Sequence, residues 1–119
     1  METRNDSLKD RLSRSREINI GVTGRKSGRL ISIPVWFVSD GKKLYLLPVT
    51  GSDTQWYKNV VEKPSIRIAT GGSEAVVKAV PVHEAKQVSS VIEKFRAKYG
   101  DSGLKYYSKL DVAVLADLL

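Results

Sequence analysis

A small antiparallel β-barrel with helices packed against its outside is the fold that this sequence predicts. Three observations lead there: six short segments read as strands, most are joined by turn-length loops, and only three segments carry helical spacing. The 119 residues suffice for one domain with a single core, so 1–119 is read as one unit. Hydrophobic residues make up 41% of the chain and charged ones 28%, enough apolar material for a packed core.

The elements follow in order. Residues 5–16 read as a short helix that Asn5, Asp6 or Ser7 can cap, with Leu8 and Leu12 on one face. Two apolar positions make it marginal by itself, so it docks on another element or frays. Ile18, Ile20 and Val22 mark Glu17 to Thr23 as a strand. In Leu30 to Ser39 one face carries Ile31, Ile33, Val35 and Phe37, the other Leu30, Trp36 and Val38. Pro34 has no N–H to donate, which predicts a sheet edge or a bulge there. Asp40-Gly41 turns the chain into a return strand from Lys43 to Val49.

Gly51-Ser52-Asp53 closes that strand and caps a helix over 53–62, which Pro64 ends. Ser65 to Thr70, the Gly71-Gly72 turn and Glu74 to Val82 form a second hairpin. Glu84 to Tyr99 repeats Val88, Val91, Ile92, Phe95 and Tyr99 at helical spacing, and Gly100 stops it. Asp111 to Ala116 reads as a last buried strand, while 104–109 carries no clear pattern.

Composition narrows the function. The chain has no cysteine, so a disulfide framework and a zinc–thiolate site are excluded, and His83 with scattered carboxylates predicts no metal cluster. No apolar run approaches the roughly 20 residues of a membrane span, and the polar N-terminus lacks a secretory core. A cytoplasmic protein is expected. Of the net charge of +7, residues 1–29 supply four, eight Lys/Arg against four Asp/Glu. Nucleic acid, an acidic lipid surface or a polyanionic small molecule would each satisfy that asymmetry. The segment Arg4 to Arg29 holds no aromatic residue on which a base would stack, which places nucleic acid last. The basic face of the N-terminal helix permits contact with a membrane surface, but two leucines bury too little area to hold it there.

Two segments carry chemistry. Thr23-Gly24-Arg25-Lys26-Ser27-Gly28-Arg29 packs three cations, two glycines and two hydroxyls into seven residues, which suits a phosphate or carboxylate. It has neither P-loop spacing nor the strand-to-helix setting of a dinucleotide turn. The plainer alternative is a hairpin turn with solvated charges. In Trp56-Tyr57-Lys58-Asn59, Trp56 and Asn59 share a helix face, an aromatic plate beside an amide that suits a flat heterocycle. The alternative makes Trp56 a core anchor and Asn59 solvent-facing. His83, between a strand and a helix, reads as a surface or capping residue.

Residues 23–29 (TGRKSGR), 33–47 (IPVWFVSDGKKLYLL) and 51–68 (GSDTQWYKNVVEKPSIRI) together resemble the deazaflavin-dependent nitroreductases, also described as F-420-dependent quinone reductases, within the flavin-binding split-barrel superfamily. The likeness runs from about residue 18 to 83 and weakens through the last helix and strand. It implies a six-stranded antiparallel split β-barrel, mainly β with flanking helices, that forms a homodimer. It implies coenzyme F-420, an 8-hydroxy-5-deazaflavin, as cofactor, and hydride transfer to a small-molecule electron acceptor: a quinone, nitroaromatic or activated enone. Arg25, Lys26 and Arg29 would pair with its phosphate and tail carboxylates, with Ser27, Gly28 and the loop amides beside them. Pro34, Val35 and Trp36 would lie against the ring, and Trp56 and Asn59 would bound the ring or tail. Trp36, Phe37, Tyr106 and Tyr107 would form the acceptor chamber, with either tyrosine, Tyr107 foremost, giving a proton to the reduced acceptor. No metal is implied.

The chain departs from the family pattern before Trp56. Pro48-Val49-Thr50-Gly51 stands where many members carry a serine followed by a cation, and Trp36-Phe37 replaces a nearby tyrosine. These departures leave room for FMN in a reductase or oxidase, and a non-catalytic deazaflavin carrier is the remaining alternative.

Overall fold

The computed structural model describes Leu12 and residues 15–40, 42–70 and 72–118. Six strands, β1 (Glu17–Thr23), β2 (Leu30–Ser39), β3 (Lys43–Leu46), β4 (Ser65–Thr70), β5 (Ser73–Val82) and β6 (Ala113–Asp117), close into one barrel in the order β1-β2-β3-β6-β5-β4. Every pairing is antiparallel. Closure gives each of these strands a neighbour on both sides over part of its length, which shortens the edges that so many short strands would otherwise expose. Among the described elements two helices flank it: α1 (Gln55–Glu62) after a 3-10 turn at Gly51–Asp53, and α2 (Ala85–Leu104). The expected mainly-β, six-stranded barrel is the fold. No described helix is long and apolar enough to cross a membrane.

The alternation of each strand decides what it buries. Ile18, Ile20 and Val22 of β1, Phe37 of β2 and Ile66 and Ile68 of β4 fill the barrel, and Trp56 and Val60 of α1 join the same core. A second cluster lies outside, where Val88, Val91, Phe95 and Tyr99 of α2 cover Tyr45 and Leu47. The Tyr99 hydroxyl ties the layers: it accepts from the Phe37 amide at 3.0 Å, and the Phe37 and Arg16 carbonyls lie 2.8 and 2.7 Å away as alternative acceptors for its single proton.

Several boundaries shift for identifiable reasons. β3 stops at Leu46, two residues short of Pro48, rather than running to Val49. Asp53 does not cap the helix. The 3-10 turn ends there, extended Thr54 precedes α1, and the Asp53 carboxylate pairs with Lys109 at 3.2 Å. Gly100 breaks the helical geometry as expected (φ 79°, ψ 171°), but one more turn follows and reaches Leu104. Pro34 sits where an edge was expected: β2 pairs with β1 as far as Trp36 and with β3 only from Phe37, so at Pro34 it has one neighbour. The helix expected over 5–16 lies outside the described residues apart from Leu12, Ser15 and Arg16; Leu12 is buried in the barrel core. Gly41 and Gly71 of the two expected turns also lie outside them.

Candidate functional site

The β1–β2 connection is a closed loop. The Gly24 amide donates to the Arg29 carbonyl at 2.8 Å and the Gly28 amide to the Gly24 carbonyl at 2.9 Å. Gly28 takes φ 73°, which a side chain would resist. A Cβ on Gly24 would lie 2.6 Å from the Ser27 hydroxyl, which accepts from the Arg29 amide at 3.2 Å.

Arg25 turns toward α1. Its guanidinium donates to Asn59 Oδ1 at 2.7 Å and to Gln55 Oε1 at 3.0 Å, and its amide donates to the same Asn59 oxygen at 3.1 Å. Asn59 is the one buried polar side chain among the described residues, and its carbonyl is occupied by the loop. The expectation that Asn59 would present both halves of its amide to a heterocycle is therefore corrected: the acceptor half anchors the loop. Its NH2 group meets no acceptor among the described residues, and Asn59 lines a hollow of about 280 Å³ with Gly24, Arg25, Lys26, Ser27, Ile31 and Gln55. Lys26 and Arg29 are exposed and pair with no carboxylate among the described residues.

A larger, mostly apolar pocket of about 380 Å³ opens beside the Pro34 edge. Ile33, Pro34, Val35 and Trp36 of β2 form one wall, and Trp56 forms another with Leu47 and Val49. Tyr106 and Tyr107 close it from the segment after α2, and Glu17 and Thr54 add the remaining polar side chains. Trp36 is a preformed plate: it stacks on Tyr99 at 4.5 Å between centroids with planes 9° apart, and Tyr106 meets it edge-on at 5.5 Å. A Cβ on Gly103 would come within 3.3 Å of the indole, so the extra turn after Gly100 seats it.

The tyrosine segment is pinned from behind. Ser52 donates its amide and hydroxyl to Asp111 at 2.9 and 2.6 Å, and the Ser108 amide donates to the Val49 carbonyl at 2.9 Å. The Ser52 bonds, the hydroxyl's foremost, hold the Asp111 carboxyl below its ordinary value against the opposing effect of burial. Burial pushes the Tyr107 phenol well up, with Tyr99 adding to the shift, so Tyr107 stays protonated at neutral pH. Beside the Trp36–Tyr99 stack, burial and then the Arg16 charge bring Lys98 down to about 8 while its ammonium donates to the Phe37 carbonyl at 2.9 Å.

The two hollows adjoin. Ile31 borders the basic one and Ile33 the aromatic one, two residues and about 7 Å apart along one face of β2. On the other side, α1 gives Asn59 to the first and Trp56 to the second.

The family model described as "Uncharacterized protein conserved in bacteria (DUF2255)" matches residues 9–113. The chain belongs to the DUF2255 family. No curated protein matches this DUF2255 chain in sequence. Among solved structures it is similar to an F-420-H2-dependent reductase (FDR-A), at 18% identity and TM-score 0.68, covering 85% of this chain and 93% of that one. A structure described as a domain-swapped dimer has 16% identity, TM-score 0.69, and coverage of 96% and 99%. HutZ, the heme storage protein from Vibrio cholerae, has 12% identity, TM-score 0.70, and coverage of 93% and 86%. At such identities the likeness is one of fold, and it agrees with the split barrel that the motifs implied.

Of the residues read from the sequence, the DUF2255 fold gathers Lys26, Ser27 and Asn59 at one hollow and Pro34, Val35, Trp36, Trp56, Tyr106 and Tyr107 at the other. Gly28 and Arg29 complete the basic loop. Phe37 does not join them: it lines neither hollow and is fully buried in the barrel core, farther along β2 where that strand pairs with β3. Trp56 is both core anchor and pocket wall. Sequence reasoning missed Glu17, Gln55 and Gly103. Glu17 was within reach, since pairing Thr23 with Leu30 across the loop and counting back sets Glu17 against Trp36.

Proposed function

We propose that this protein is a deazaflavin-dependent oxidoreductase that passes a hydride from reduced coenzyme F-420 to a quinone, nitroaromatic or activated enone, and that it works as a homodimer. The observation that carries this reading is an apolar, aromatic-walled pocket adjoining a basic loop whose Lys26 and Arg29 have no carboxylate partner among the described residues. A ligand with a flat ring and an anionic tail matches that pairing. Lys26, Arg29 and the Asn59 NH2 group would hold phosphate and carboxylate oxygens, while Arg25 keeps the loop in place. Trp36 and Trp56 would flank the flat part and keep water from it.

When bound, the reduced deazaflavin would supply the hydride, which is chemistry the protein's own side chains do not perform. Tyr107, held protonated by burial, would keep its proton in place for the oxygen of the reduced acceptor. Fold likeness to an F-420-H2-dependent reductase supports this reading, and the domain-swapped dimer among the neighbours supports a dimer. The heme storage neighbour does not displace this reading, because the chain's single histidine, His83, borders a separate hollow beside α2 rather than the aromatic pocket.

Titration with oxidised F-420 and with FMN, followed by fluorescence, tests the proposal. Tight binding of F-420 alone is expected, weakened about tenfold or more by Lys26→Ala, the scale of one charge-assisted contact. Preference for FMN would overturn the cofactor, and binding of neither would sink the redox reading. Sedimentation at micromolar concentration is expected to give twice the chain mass.

A further inference from the structure

The barrel is split along β5. That strand pairs with β4 from Ser73 to Lys78 but with β6 only from Ala79 to Val82. The Ala79 amide donates to the Pro64 carbonyl at 2.7 Å, on the β4 side, so alternation sends the backbone groups of Ser73, Ala75 and Val77 the same way. Pro81 belongs to that series, and its missing N–H therefore costs the β5–β6 ladder nothing. The N–H and C=O groups of Glu74, Val76 and Lys78 face the opposite side, where β6 no longer pairs with β5. A hollow of about 380 Å³ opens there between β5 and Asp117–Leu118.

The same three residues turn their side chains outward. Ala75 and Val77 pack against the barrel core, and the pleat exposes Glu74, Val76 and Lys78, Val76 to 63%. A strand edge with free backbone groups is a template for another strand, and charged side chains decide which strand it accepts. Lys78 pairs with no carboxylate among the described residues, and Glu74 reaches only Arg67 of β4, at 3.9 Å between exposed groups. The segment Glu74-Ala75-Val76-Val77-Lys78 reverses its charge about Val76. Laid antiparallel on its own copy with Val76 opposite Val76, it sets Glu74 of each copy against Lys78 of the other. A slip of two residues loses both pairs.

We infer that the β5 edge at Glu74, Val76 and Lys78 is the surface through which two copies of this chain pair, as an antiparallel ladder joining the two barrels. The inference rests on the proposed homodimer for its stoichiometry and goes beyond it by naming the surface. No residue of β5 lines either ligand hollow, so the pairing is independent of the cofactor. A two-fold axis through Val76 makes the contact isologous, which closes the assembly at two copies.

The chain has no cysteine, so a single introduced thiol reports its own neighbour. Val76→Cys is expected to oxidise to a disulfide-linked dimer, because hydrogen-bonded antiparallel pairs hold their Cα atoms about 5.5 Å apart, within disulfide range. Val61→Cys, exposed on α1, is the control and is expected to stay unlinked. By sedimentation, Glu74→Lys and Lys78→Glu should each weaken the dimer about tenfold or more, since symmetry counts each change twice, and the double reversal should restore it. That rescue separates pairing between copies from the lost Arg67 contact, which the double variant also lacks. Where a charge reversal lowers the melting temperature, the Val76→Cys cross-link decides. A monomeric wild type, a dimer that neither reversal weakens, or a Val76→Cys chain that links no faster than Val61→Cys would overturn the inference. A dimer with either of the last two results refutes this surface and keeps the homodimer, whereas a monomer refutes both. Failure to bind F-420 refutes the proposed chemistry and leaves the β5 pairing standing.

Discussion

Replacing Asn59 by alanine perturbs the junction on which the candidate site depends. Its Oδ1 accepts two hydrogen bonds from Arg25, one from the guanidinium at 2.7 Å and one from the backbone amide at 3.1 Å. A neutral bond of this kind contributes about 1 kcal/mol and a charge-assisted one about 2 kcal/mol. Arg25 is half-exposed, so water rescues part of the guanidinium's share, which leaves about 2 kcal/mol as the expected loss. In a domain of this size that lowers the melting temperature by about 6–12 °C. Chemical denaturation of Asn59→Ala, Arg25→Ala and the double variant provides the assay. A coupling of about 1 kcal/mol or more between the two sites is expected, since they act through one contact. Additive effects would refute the argument that Asn59 holds the loop. Asn59→Ala should also weaken the ligand of the basic loop more than Lys58→Ala does, because Lys58 lies outside that hollow.

Two other perturbations probe the supports of the aromatic pocket. Gly51 takes φ 58°, and a Cβ there would collide with the Asp111 carboxylate and lie 2.9 Å from the Lys109 carbonyl. Gly51→Ala is therefore expected to cost about 1–3 kcal/mol, seen as earlier urea unfolding, and to loosen the Tyr106-Tyr107 segment, seen as a changed near-UV dichroism. Lys98, brought down to about 8 from 10.5, binds its proton less readily folded than unfolded, so stability should rise with pH between about 8 and 10. Lys98→Met should flatten that limb of the melting-temperature profile; an unchanged rise would assign it to other groups.

Much of the fold was legible in the chain because alternation is a local signal. The bounds of β1, β2 and β4 follow from apolar residues at every second position between glycine-rich or proline-marked breaks, and Gly100 interrupts the helix where its left-handed φ requires. The basic loop, the two tryptophans and the tyrosine pair were likewise visible as residue types. Their arrangement was not. The resemblance set Phe37 in the acceptor chamber with Trp36, yet Phe37 is fully buried in the barrel core. The Asn59–Arg25 bond spans 34 residues, and the clip between Ser52 and Asp111 spans 59.

The sequence by itself determined the order of strands and turns, which charges gather between β1 and β2, and, having no cysteine, that no thiol chemistry is available. Tertiary structure decided which of those charges remain available for a ligand and which are used to hold the loop. It also brought Glu17, Trp36, Trp56 and Tyr107 around one pocket. The physical reason is range: periodicity and turn chemistry act within a few residues, whereas barrel closure pairs β1 with β4 and β3 with β6, and only then do distant side chains meet.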